Sequence, residues 1–452
     1  MGKPHKNLTF VLFLLGLFSM TQIRIIGAIG IAEIPIYILA PYIFMVDYQS
    51  LKNDGFLPII WLALLTCVCA CISSCINHTY IAEAIKGFAT PYSIFAVMVV
   101  LHRLLRKDLS GYKWILLGAA FSQILNIFIF QQSAEMSAFS EGATGFEAGR
   151  RIAETSTIFW TSRIRPFIDA FVGGWYTQMP LPISILLIAC FAIFSAVSTT
   201  SGRSMAAVTI IGLGLLFIGG KSRRRMLFFK RQFYFFVILS ILGIVVLSEG
   251  YRLSALNGLL GEKAKMKYES QMQERKGVIG ILKGGRGEVF IGLTACLDKP
   301  FFGHGPWPID DNDYIKRYVE KYGTPTEWEG FFNHERYLAS IGYRRYRMIP
   351  AHSHLIAFWL YYGIIGLIFW IYVLYLIVIY FKRYVDVVPQ WFGYLAVSVS
   401  AFAWNVFFSP YGGRIVTPLM ICLILFTRAI AKGRISLPVA MQIEASKYDG
   451  RL

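Results

Sequence analysis

Charge is scarce in this chain. Only 15% of its 452 residues are Asp, Glu, Lys or Arg, against roughly 25% in ordinary soluble domains. With 56% hydrophobic residues and a mean hydropathy of +0.54, that shortage excludes a water-soluble globular enzyme. Acidic residues are the scarcer kind, 26 against 44 basic ones. The surplus positive charge suits anionic lipid, an anionic substrate or nucleic acid, and position along the chain has to decide among them. Nor is there a disulfide framework. Of seven cysteines, Cys67, Cys69, Cys71, Cys75, Cys190 and Cys422 fall in apolar runs, and only Cys296 lies in a long polar stretch. Cys67, Cys71 and Cys75 share one helix face, a pattern of small-residue helix packing; with no His beside them, no metal site is expected.

Long apolar runs are abundant. Those at Leu57–Ile76, 181–200, 233–249 and 355–381 have the length of a membrane-spanning helix, about 20 residues, so the expected fold class is an all-α polytopic membrane protein. Lys and Arg in short loops mark the cytoplasmic side. Such residues cluster at Lys3/Lys6, Arg103/Arg106/Lys107/Lys113, 221–231, Lys382/Arg383 and Arg428/Lys432/Arg434. With the N-terminus inside, spans are expected near 8–26, 28–46, 57–76, 84–101 and 114–130. A short crossing at 166–179 is then required, because without it the basic block 221–231 would face outward. Spans at 181–200, 204–220, 233–249, 355–381, 390–408 and 414–430 complete about twelve. The first segment has no small-residue cleavage site before the next apolar run and reads as an uncleaved span. The chain thus divides into N-terminal transmembrane helices (1–249), one large external loop (250–354), C-terminal transmembrane helices (355–430) and a cytoplasmic tail (431–452).

On that topology, several polar motifs fall on the external face. Ser201-Gly202-Arg203-Ser204 is a tight turn between apolar helices. Gly284-Gly285-Arg286-Gly287-Glu288 and Pro300-Phe301-Phe302-Gly303-His304-Gly305-Pro306 lie in the large loop. Ala351-His352-Ser353-His354 precedes a helix that contains Gly363-Ile364-Ile365-Gly366-Leu367. Arginine offers a planar fork for bidentate phosphate contacts, and a flanking glycine lets a phosphate approach the backbone. Arg203 and Arg286 can therefore clamp a diphosphate, with Arg414 as a third contact; all three equally read as interfacial anchors. A histidine titrates near neutrality and can take a proton from an attacking hydroxyl. His352 and His354 have that chemistry, and also the bland reading of helix caps. Asp310-Asp311-Asn312-Asp313 lacks the glycine and distal glutamate of a calcium loop and reads as a solvated turn or helix start. Glu33, a few residues into the second helix, is expected at the interface rather than in a proton relay. The Tyr343-Arg344-Arg345-Tyr346-Arg347 cluster suits sugar stacking, an anionic glycan or plain solvated surface; on the outer face a nucleic-acid partner is not expected.

Taken in order, the Gly-Arg turn, the loop Gly285-Arg286, the segment Pro300–Gly305, and His352-Ser353 ahead of Gly363–Leu367 resemble the O-antigen ligase and polymerase superfamily over roughly residues 195–380. The resemblance implies a C-type glycosyltransferase-like helical fold with a periplasmic site in the inner membrane. It implies an undecaprenyl-diphosphate-linked glycan as donor, a glycan or lipid A core as acceptor, and neither metal nor other cofactor. Arg203 and Arg286 would hold the diphosphate leaving group, and the first histidine of His352-Ser353-His354 would activate the acceptor hydroxyl. Two positions depart from the family pattern. Ser353 stands where the family usually has Asn, and His304 stands between two glycines where an apolar residue is usual, which makes it a local departure or a second acid/base candidate. Polymerisation of lipid-linked repeat units, with a chain-length regulator as a possible partner, is the leading expectation because the external loop is long and aromatic. Ligation onto lipid A core uses the same residues. A transporter or flippase without bond chemistry is the rival of another class, disfavoured by the near absence of mid-membrane charge and of internal repeats.

Overall fold

The computed structural model describes residues 6–19, 22–24, 28–128, 287–322, 348–351, 353–387, 392–408 and 415–435, with scattered residues between 182 and 259. Among these, the protein is helical apart from one small hairpin. In chain order the elements are α1 (Lys6–Ser19), β1 (Gln22–Arg24), β2 (Ala28–Gly30), α2 (Glu33–Val46), α3 (Tyr48–Asp54), α4 (Leu57–Ile76), α5 (Ile81–Lys107) and α6 (Tyr112–Phe128). Farther along the chain are α7 (Gly287–Asp298), α8 (Tyr314–Tyr322), α9 (His354–Tyr362), α10 (Ile364–Val387), α11 (Phe392–Phe408) and α12 (Val416–Ala431).

Among the described residues, two helices, α4 with 20 residues and α5 with 27, are long and apolar enough to cross a membrane, alongside several shorter apolar helices. Ile38, Tyr42 and Met45 on α2, Trp61, Val68 and Ile72 on α4, and Ile371 and Tyr375 on α10 are exposed. Such a wall would be an aggregation liability in water and is an ordinary surface against lipid. The expected spans at 8–26 and 28–46 are corrected. Each is a helix of only 14 residues, about 21 Å long against a hydrocarbon core of about 30 Å. Between them β1 and β2 pair antiparallel, Gln22 with Gly30 and Arg24 with Ala28. The sequence there mixes β-branched residues with glycine and a charge, which favours extended backbone over helix. The run expected as one helix at 355–381 is broken at Gly363. The crossing expected at 166–179 lies outside the described residues, as does most of 181–249.

Contacts fix how the helices run. Tyr37 meets Tyr92 at 5.5 Å, Phe44 meets Phe95 at 5.7 Å, and Asp47 accepts from Arg103 at 2.7 Å, so α2 and α5 are parallel. Phe426 stacks on His102, which makes α12 parallel to α5 as well. In α11, Tyr394 lies by Tyr112 while Val406 accepts from Ser353, so it runs the opposite way. One end of the bundle thus gathers the α4–α5 turn and the start of α9. The other gathers the α3–α4 turn and the C-termini of α5 and α12.

Prolines inside two helices shape the core. Pro41 in α2 and Pro91 in α5 have no N–H, so the carbonyls of Tyr37 and Gly87, four residues earlier, lose their intrahelical donors. A neighbouring helix supplies a tyrosine to each. Tyr92 OH donates to Tyr37 O at 2.8 Å, and Tyr362 OH donates to Gly87 O at 2.8 Å. In an apolar surrounding such a carbonyl is costly to leave bare, so these hydroxyls bind α2 to α5 and α5 to α9. Tyr92→Phe and Tyr362→Phe should each destabilise the protein by about 1 kcal/mol. Thermal melts in detergent should show both falling below wild type, while Tyr375→Phe on the exposed wall stays level.

Candidate functional site

At the end of the bundle that holds the start of α9, a loop enters a helix. In an unbroken helix the N–H of Ile364 would bond to Leu360 O. Here the peptide N–H of His304 donates to Leu360 O at 2.6 Å, and Ile364 N donates instead to Phe301 O at 3.2 Å. The segment Phe301–His304 is thus spliced into the hydrogen-bond ladder between α9 and α10. Trp359 Nε1 adds a bond to Pro300 O at 3.0 Å. Gly363 makes the break with φ +68° and ψ −155°, a conformation reserved for glycine. A Cβ there would stand 1.9 Å from Phe301 O, and one on Gly303 would stand 2.5 Å from Leu360 O. The glycines of both sequence motifs therefore serve one backbone-to-backbone contact.

The same segment is held from the other side by the α4–α5 turn. Asn77 Nδ2 donates to Gly303 O at 3.2 Å, and Lys299 Nζ donates to Asn77 Oδ1 at 2.8 Å. Pro306 packs against Gly87 of α5. His304 is buried, with Nε2 2.8 Å from Ala295 O. Because the acceptor is a carbonyl, Nε2 carries the proton. Burial pushes the His304 pKa down, against an upward pull from the Ala295 hydrogen bond; Lys299 lowers it further while Asp298 and Asp310 oppose. A neutral, sequestered imidazole of this kind is a structural donor, and of the two readings of His304 the geometry fits the local departure.

The stretch 250–354, expected as one large loop, contains two helices among its described residues, α7 and α8. In α7, Cys296 is buried against Ile356 O, and Gly292 packs on Ile356 and Pro350 of the α9 strand of chain. Asp310, four residues ahead of α8, is buried and accepts from the first two amides of that helix, Tyr314 N and Ile315 N, at 2.8 Å each. Burial raises its pKa, with those two backbone N–H groups opposing. Tyr314 OH donates to Asp298 Oδ2 at 2.6 Å; burial first, then that carboxylate, push its pKa up to about 12.

Of the expected site residues, Arg203, Arg286, Arg414 and His352 lie outside the described residues. His354 is the first residue of α9, 2% exposed, with Trp370 5.0 Å and Phe402 6.4 Å from its ring. Ser353 caps α9: its Oγ accepts from Ile356 N at 3.1 Å and donates to Val406 O at 2.8 Å. Asn and Ser are comparable N-caps, so serine at this position keeps the capping function. Glu33 is the first residue of α2 and buried, and its Oε2 accepts from Gly30 N at 2.9 Å and Tyr37 OH at 3.2 Å. That is a hairpin-fixing role at the start of α2. The cysteine face of α4 turns outward as it rises, with Cys67 buried and Cys71 and Cys75 exposed; all seven thiols are free. Among the described residues no three His, Cys, Asp or Glu side chains are grouped to hold a metal ion.

Sequence reasoning missed the residues that fasten the inserted loop. Asn77 follows an apolar run as a C-cap would, which is a findable signal. The pairing of Tyr362 with Pro91 spans 275 residues to Gly87 and leaves none. No protein-family model, curated protein or solved structure matches the chain, so the family resemblance rests on its motifs.

Gly363→Ala should cost at least about 2 kcal/mol, read as a lowered thermal midpoint with α10 retained by circular dichroism. His304 gives a pH signature. Its pKa is lower folded than unfolded, so the unfolded chain binds the extra proton and this contribution to stability is lost as pH falls below about 6.5. Wild type should therefore melt earlier at pH 5.5 than at 7.5, and His304→Gln, which keeps a donor for Ala295 O but does not titrate, should lose part of that slope.

Proposed function

We propose that this chain is a membrane glycosyltransferase that moves a glycan from an undecaprenyl-diphosphate donor to a sugar hydroxyl on the periplasmic side, acting as a polymerase of lipid-linked repeat units through a fold of about twelve spans. The observation that carries this reading is the packing of α7 on the start of α9. Arg286 directly precedes Gly287, the first residue of α7, and His352 directly precedes Ser353, the cap of α9. These helices touch through Gly292, Ile356 and Pro350, so one arginine of the candidate clamp, Arg286, and the candidate base His352 each adjoin, in sequence, one packed pair of helices. The burial of His354 among Trp370 and Phe402 favours His352 as the base.

In the reaction, the acceptor hydroxyl oxygen attacks the donor sugar's anomeric carbon as the carbon–oxygen bond to the diphosphate breaks. His352 takes the hydroxyl proton, and the diphosphate leaves against Arg203 and Arg286, with Arg414 as a further contact. Fixed cations facing developing phosphate charge stabilise it by several kcal/mol in a water-poor site, so the chemistry requires no metal. An apolar wall such as that of α2 and α4 lets the donor's lipid remain in the bilayer. Ligation to lipid A core is the second reading, favoured by the same motifs.

The test is purified protein with a lipid-linked oligosaccharide. A ladder of longer lipid-linked products is expected; a single transfer to added lipid A core identifies the ligase, and neither product removes the transferase reading in favour of transport. Arg286→Ala, Arg203→Ala and His352→Ala should each lower turnover by about 10²-fold or more without loss of membrane insertion, and EDTA should leave the rate unchanged.

A further inference from the structure

The opposite end of the bundle concentrates positive charge around a buried acid. Asp54, with a side chain 0% exposed, accepts from Arg106 Nε at 2.7 Å, and His102 Nε2 lies 2.8 Å from the same oxygen. Arg103 binds Asp47, and Arg434 donates to the Asn53 carbonyl. Asp108 is occupied by the amide and hydroxyl of Ser110. Asp47, Asp54 and Asp108 are thus engaged within the fold. Basic side chains nevertheless face outward: Arg106 keeps 43% of its side chain exposed, and Lys52, Lys107, Lys432 and Arg434 are exposed as well. Asp54 anchors a guanidinium without neutralising the surface.

Beside this charge stands apolar surface. Tyr42, Met45 and Val46 in the last turns of α2 are exposed, as is Trp61 in α4, and the two helices join through the edge-on contact of Phe44 with Trp61 at 5.8 Å. A ligand that fits both has an anionic head and acyl chains. We propose that this end of the bundle binds the phosphate of an anionic phospholipid, with the head on Lys52, Arg106, Lys107 and Arg434 and the chains along the α2–α4 wall. The proposal uses the membrane character of the helices and is independent of glycosyl transfer.

The test takes the full-length protein, stripped of lipid in neutral detergent and titrated with phosphatidylglycerol or with phosphatidylethanolamine of identical acyl chains. Bound lipid is counted by native mass spectrometry. Phosphatidylethanolamine carries the same phosphate cancelled by an amine, so phosphatidylglycerol should bind at least about tenfold tighter. The exposed ammonium groups of Lys52 and Lys107 carry none of the bonds described above. Lys52→Gln/Lys107→Gln should therefore fold normally and lose about tenfold in phosphatidylglycerol affinity. Lys316→Gln/Lys321→Gln, on α8 at the other end, should lose none. Equal binding of the two lipids, an unchanged Lys52→Gln/Lys107→Gln variant, or an equal loss in the α8 variant overturns the proposal. So does displacement of phosphatidylglycerol by millimolar inorganic phosphate, which would mark a site for soluble anions.

Discussion

A helix that opens inside an apolar bundle must find new partners for its freed amides and carbonyls, and the architecture of this protein turns on that requirement. At the α9–α10 break one lost bond, Ile364 N to Leu360 O, is replaced by two bonds to the segment Phe301–His304. The break and the loop are therefore one feature. Neither would be stable alone, since a bare carbonyl in such surroundings costs several kcal/mol and the loop has no ladder of its own. The prolines of α2 and α5 pose the same problem on a smaller scale, and the hydroxyls of Tyr92 and Tyr362 answer it. These bonds join α2, α5 and α9 into one connected polar seam.

The splice also sets where the two glycine motifs, Gly303–Gly305 and Gly363–Leu367, lie relative to each other. The splice draws the large loop down onto the bundle, and α7 comes with it. His304 completes the attachment by bonding back to Ala295 of that helix. The unit of α7, the inserted segment and the start of α9 is held by backbone bonds to α9 and α10 and by the Asn77 side chain of the α4–α5 turn.

Some of this was legible in the amino-acid sequence. The apolar runs gave α4, α6, α11 and α12 to within about two residues, because a run of spanning length with charge at one end is a strong and local signal; α5, expected at 84–101, runs on to Lys107 through basic residues read as loop. The α9–α10 break was not legible: residues 355–381 read as one uninterrupted apolar run, and the segment that interrupts it lies some 60 residues earlier. The hairpin between α1 and α2 was hidden by apolar β-branched residues that pass for helix in a hydropathy profile. The segment Asp310–Asp313, read as a solvated turn or a helix start, does lead into α8, but the burial of the Asp310 carboxylate under the first α8 amides left no signal in the sequence. His354 could not be placed from sequence, because its burial depends on Trp370 and Phe402 arriving from two other helices.

Ser353 has a mechanical consequence. Its hydroxyl is shared between the amide of its own helix and the carbonyl of Val406 on α11, so a slide of α11 along its axis would pull on the residue that follows His352. The two helices are geared at this point. A shift of α11 would thereby be felt at the first turn of α9 through a single hydroxyl.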